Sequence, residues 1–170
     1  MFLRGTVVVA LAAGIAAPAL AAGPYDLAER RFLDEVADPT WFVVESGRAV
    51  LDRLEHDSQL GELAQRMMKE HRAIYVTLAE LGEEVDVAVS KELDQRFTET
   101  MTGLESLEGE DDFTRAWLDV QMEIHREIIE AFERHAAEAG ASPKMREIIE
   151  DHLPHLREHL ARVEALRGRG

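Results

Sequence analysis

Four histidines, His71, His125, His152 and His159, occupy positions where an amphipathic helix would ordinarily carry leucine. A neutral imidazole is a good ligand for zinc, copper, nickel or ferrous iron. Three imidazoles converging in one core layer, with water in a fourth position, would resemble an open zinc site. The opposing reading is a metal-free polar layer, in which buried imidazoles bond to carbonyls, carboxylates, one another or a buried water. Which applies depends on the elements that carry the histidines.

Those elements read as helices. Apolar residues recur at spacings of three and four, and no useful stretch alternates with period two. Residues 25–36 predict a short first helix or an ordered arm. Asp38 followed by Pro39 is a favoured N-terminal pair, predicting a helix to about Glu55 with Val43, Val44, Gly47, Val50, Leu51 and Leu54 on its face. Asp57-Ser58 opens a second helix, running to Leu81 with Gly82 as its C-terminal glycine. A shorter helix is expected over 90–107, stopped by Gly109. Asp111 or Asp112 would cap the next, to about Glu138, with Phe113, Trp117, Gln121, Ile124, His125, Ile128, Phe132 and His135 on one face. Ser142-Pro143 opens the last, in which Pro154 removes one backbone hydrogen bond and should introduce a kink.

Four amphipathic helices of about 20 residues make an antiparallel bundle. A long connection between two hairpins leaves the second and third long helices parallel. The expected fold is therefore all-α: a ferritin-like up-down-down-up four-helix bundle with a short extra helix in the crossover. The domain division is a leader over 1–21, an arm or short helix over 22–37 and the bundle over 38–167.

This topology sets the axial levels. At 1.5 Å per residue, His71 and His125 each fall roughly 18–20 Å from the same end of their helices, and His125 and His159 are level within roughly 3 Å across the second hairpin. His71, His125 and His159 are thus the expected ligands of one transition metal ion, zinc, iron or copper. Gln121, one turn before His125, and Glu70, beside His71, are candidates to orient an imidazole from behind. Glu45 reaches the same level on the first bundle helix, well off its apolar stripe. His152 is expected at the core edge. His155 and His159, four residues apart, offer a less favoured surface chelate. His56 and His135 read as helix-end residues.

The N-terminus reads as an address. Arg4 precedes an apolar run, and Ala19-Leu20-Ala21 fits a small-x-small cleavage rule, with Ala22 the alternative end of the leader. A membrane anchor is the competing reading of this stretch. Export predicts a periplasmic or secreted product with no stable membrane insertion after cleavage. The full chain has 34 acidic against 19 basic residues, a net charge of −15, which disfavours phosphate backbones as partners and so argues against nucleic acid. With no cysteine, disulfides and thiolate sites are excluded. No glutamate is followed three residues later by histidine, which argues against a dinuclear carboxylate oxidase. His-Glu-x-x-His is also absent. No catalytic or organic-cofactor residue emerges. A structural or interaction protein with an envelope partner and, less favoured, a mononuclear metalloenzyme using Glu45 or Glu70 as base stand as alternatives.

Three segments carry a family resemblance. Ala64-Gln65-Arg66-Met67-Met68-Lys69-Glu70-His71, Phe113-Thr114-Arg115-Ala116-Trp117-Leu118 continuing through Gln121 to His125, and Leu153-Pro154-His155-Leu156-Arg157-Glu158-His159-Leu160 resemble, in order and spacing, the motifs of the exported bacterial family known as domain of unknown function 4142. The resemblance implies export, a ferritin-like bundle, and His71, His125 and His159 as the motif histidines. A glutamate usual in that family's first helix is missing near Ala49-Val50-Leu51-Asp52, and Thr114 and Trp117 replace its more usual Asp and Tyr. The family has no assigned activity.

Overall fold

The computed structural model describes residues 26–54, 58–138 and 141–169. The expected leader, the start of the arm and His56 lie outside them. The described chain forms five helices: α1 (Asp26–Arg53), α2 (Gln59–Glu84), α3 (Gln95–Glu105), α4 (Glu110–Ala137) and α5 (Pro143–Arg167).

Four long helices form the bundle and α3 lies in the crossover. α1 packs on α2 and α4, and α5 packs on the same two. Pairings show the directions. Glu35 meets Arg134 while Ser46 meets Trp117, so α1 and α4 are antiparallel. Arg66 meets Glu158 while Thr77 meets His152, so α2 and α5 are antiparallel as well. α2 and α4 therefore run parallel across the bundle diagonal, the up-down-down-up arrangement expected from the long crossover. Among the described residues, no helix is long and apolar enough to cross a membrane.

Three helix starts follow from capping side chains. The Ser58 hydroxyl accepts from the Gly61 N–H at 3.0 Å, the Asp94 carboxylate from Phe97 at 2.8 Å, and the Ser142 hydroxyl from Met145 at 3.1 Å. α4 differs from expectation. Gly109 is its N-cap and makes no side-chain bond, so neither Asp111 nor Asp112 caps it. Those two and Glu110 instead fill the first turn, where negative charge suits the helix dipole.

α1 is also longer than expected. Asp38-Pro39 does not start it; residues 26–37 already belong to it, and Pro39 lies inside. Proline removes one hydrogen bond in a helix interior. Burial offsets that loss: Phe32, Leu33 and Val36 are 0–1 % exposed and join Phe42, Val43 and Val50 in one core. α2 likewise passes its expected end, and Gly82 is not its cap. A Cβ at residue 82 would stand 2.6 Å from the Val87 carbonyl oxygen, so glycine there makes room for the returning chain. The left-handed residue of the turn is Asp86, at φ 54°.

The crossover is fastened at three points. Ser90 does not start the helix: its hydroxyl accepts from the Glu92 N–H in the connection, and α3 begins at Gln95, capped by Asp94. Phe97 stacks on Phe42 of α1, the ring centroids 4.8 Å apart. Arg53 donates to the carbonyls of Glu105 and Leu107, at 2.6 Å each, which supplies donors at the C-terminal end of α3. Lys91 sits over the rings of Trp41 and Tyr75, and the Tyr75 hydroxyl donates to the Val89 carbonyl at 2.9 Å. α5 continues through Pro154, which faces solvent.

Candidate metal centre

The centre begins with three helical residues that the 3.6-residue period turns inward. His71 continues the stripe Ala64, Met67, His71, Ile74 and Leu78 on α2; His125 lies between Gln121 and Ile128 on α4; His159 lies between Leu156 and Val163 on α5. Because α2 and α4 run parallel while α5 opposes both, the three fall at one height. All three residues are fully buried. Their ring centroids form a near-equilateral triangle with sides of 5.1, 5.4 and 5.5 Å. One ring nitrogen from each lies within 4.8 Å of the other two.

Hydrogen bonds assign the roles of individual nitrogens. His125 Nδ1–H donates to the Gln121 backbone carbonyl at 2.8 Å, the preceding turn of its own helix. This leaves a lone pair on Nε2. His71 Nε2 lies 3.2 Å from that atom and donates to it when the pair is metal-free. His159 Nε2–H donates to Glu70 Oε2 at 2.7 Å. The remaining nitrogens, Nδ1 of His71 and Nδ1 of His159, are buried with no hydrogen-bond partner. Such unpartnered polar atoms are uncommon in a core and each costs free energy.

The electrostatics keep the imidazoles neutral. Burial, reinforced by His125, His159 and His152, pushes His71 well below the usual imidazole range. Burial and His159 push His125 down to about 3, against the opposing pull of the Gln121 carbonyl. His159 is also lowered by burial, although Glu70 works in the other direction. Burial raises the Glu70 carboxyl, but the Arg66 hydrogen bond and the neighbouring His159 hold it below its ordinary value. Neutral imidazoles are the ligand form, so an ion here would not compete with protons near neutral pH.

The donor set fits a transition metal. Two nitrogens at 2.0–2.1 Å from a tetrahedral ion stand about 3.3 Å apart. The His71–His125 pair is already at 3.2 Å. The third nitrogen, within 4.8 Å, needs to close by at most about 1.5 Å. Two imidazoles also have the backing oxygen that metal-binding histidines usually show, the Gln121 carbonyl behind His125 and the Glu70 carboxylate behind His159.

The supporting residues differ in detail from expectation. Glu70 holds His159 across the helix interface rather than its neighbour His71. Gln121 acts through its backbone carbonyl, while its side-chain amide donates to Ser46 Oγ at 2.8 Å. Glu45 does not reach the layer: it is clamped to Arg48 on its own helix at 2.6 Å, because its position turns it away from the apolar stripe. Ser46 instead brings α1 to this level, taking Gln121 on its hydroxyl and the Trp117 indole N–H on its carbonyl at 3.1 Å. The signal for Ser46 was its spacing, three residues after Val43 and four before Val50. His152 is half-buried, its Nε2 3.2 Å from the Thr77 hydroxyl. His135 is buried at the end of α4, where Glu35 lies 3.1 Å from its Nε2. His155 and His159 form no direct chelate; the Glu70 carboxylate stands between them.

The family model described as a domain of unknown function, DUF4142, matches residues 14–166. The chain belongs to that family. Among curated proteins and among solved structures, none matches it. The DUF4142 match spans all three segments that carry the histidines and their supporting residues, so the layer is built from the body of the domain rather than from an appended segment.

Proposed function

We propose that this DUF4142 protein is an exported helical bundle that binds one transition metal ion, zinc, iron or copper, through His71, His125 and His159. The observation that carries the reading is the convergence of three buried imidazoles, each from a different helix, with ring nitrogens within 4.8 Å of one another. The Gln121 and Glu70 oxygens behind two of them support it. In this reading residues 1–21 direct export, and the protein works in the periplasm or outside the cell.

The test is elemental analysis of the untagged protein isolated from its own compartment without chelator, beside the His125→Leu variant. Near-stoichiometric metal in the parent and none in the variant is the expected result. No metal in either favours a second reading, for which the direct His71–His125 hydrogen bond speaks. In that reading the layer is a polar device within the bundle, and the protein acts through an envelope partner.

A further inference from the structure

The ring is closed: His71, His125 and His159 each have 0 % of their surface exposed. A polar group that touches both the ring and solvent would offer an ion a way in. Glu70 is such a group. Its side chain is 26 % exposed, and its Oε2 lies 2.7 Å from His159 Nε2 on the inside and 3.8 Å from His155 Nδ1 on the outside. His155 stands one helical turn before His159, with its side chain half exposed. One carboxylate oxygen thus lies between an outer and an inner imidazole.

Resting on the three-histidine reading, we infer that His155 and Glu70 form an outer station that captures the ion and passes it to the buried ring. Imidazole nitrogen and carboxylate oxygen both ligate zinc, iron and copper. Two protein ligands hold an ion less firmly than three, as a transfer point requires. Arg66 is suited to the exchange. It holds Glu70 Oε1 at 3.0 Å and also makes a two-pronged pair with Glu158, both contacts at 2.7 Å. An arriving cation can displace the guanidinium from Glu70 while Glu158 retains it. His152 is the other histidine near the ring, but its hydrogen bond goes to Thr77, and among the described residues no carboxylate links it to the three imidazoles.

The experiment follows cobalt(II) uptake by the metal-free full chain in a stopped-flow instrument, reading the visible absorption of the bound ion. The parent is compared with His155→Ala, the bulkier His155→Gln, and His152→Ala. Both His155 variants are expected to take up cobalt about tenfold more slowly. Final occupancy and affinity stay at the parent level, so removal by chelator slows by the same factor. His152→Ala keeps the parent rate. Parent-like uptake in the His155 variants overturns the inference. So does a loss of affinity there, which would make His155 a ligand of the final site, or slowing confined to His152→Ala. A parent that takes up no cobalt defeats the three-histidine reading itself, and the outer station with it.

Discussion

The Nε2 atoms of His71 and His125 stand 3.2 Å apart in the core, although 54 residues separate them in the chain. They come from helices that do not follow one another in space. Only the long crossover, which sets α2 and α4 parallel on the bundle diagonal, brings them to one height. α5 then adds His159, and Glu70 of α2 holds it in place. The layer is consequently shared among three helices, and its energetics bear on stability as well as on binding.

Metal should stabilise the fold. A ligand bound only by the folded state at a free concentration 100 times its dissociation constant adds about 2.7 kcal/mol. For a chain of this size that corresponds to a rise in melting temperature of about 5–11 °C. The shift is expected on adding zinc to the metal-free parent and should vanish in His71→Leu, His125→Leu and His159→Leu. Equal shifts in parent and variants would assign the effect to surface carboxylates.

Acid should destabilise the metal-free protein in a defined window. The buried imidazoles are held neutral, with His125 pushed down to about 3 and His71 lowered well below the usual imidazole range by burial and its neighbours. In the unfolded chain they titrate near 6.5. Below that value the unfolded state binds protons that the folded state refuses, so stability falls as pH falls. The slope is about 1.4 kcal/mol per pH unit for each such imidazole, between roughly pH 6.5 and the folded-state values. Urea midpoints from pH 8 to pH 4 measure it. His125→Leu should flatten the curve, and a parent curve already flat across this range would contradict neutral burial.

The Ser46–Gln121 contact ties α1 to the layer. Ser46→Ala leaves the buried Gln121 amide without its acceptor and should cost about 1–3 kcal/mol. Adding Gln121→Leu removes the stranded group. The double variant is therefore expected to be less destabilised than the sum of the single ones, with a coupling of about 0.5–3 kcal/mol in a denaturation cycle. Strict additivity would mean that the contact contributes nothing.

Two helical glycines should respond differently to alanine. At Gly47 the added Cβ meets Met68 Cγ at 2.5 Å, a flexible side chain that can turn aside. At Gly82 it meets the Val87 backbone oxygen at 2.6 Å, where a whole turn would have to move. Gly47→Ala should change stability by less than about 1 kcal/mol, since the helix propensity gained offsets the repacking. Gly82→Ala should lose about 1–3 kcal/mol. Thermal melts of the two variants check the order, which would fail if Gly47→Ala proved the more damaging.

Much of this is legible in the sequence alone, because helix periodicity is a local property. The stripes on α2, α4 and α5 follow from spacings of three and four, and the caps at Ser58 and Ser142 from residue type. Given a crossover too long for a tight hairpin, the 1.5 Å rise set His71, His125 and His159 at one height. Tertiary packing decided the rest. It carried α1 through Asp38-Pro39, since the burial of Phe32, Leu33 and Val36 offsets one lost backbone bond. It aimed Glu70 at His159 across an interface instead of at its neighbour, because residues adjacent in a helix point about 100° apart. It put Ser46 rather than Glu45 at the layer for the same reason. Local spacing determines which face a side chain occupies; the nitrogen or oxygen it meets there depends on helix rotation and contact across the bundle, which only the packed core sets.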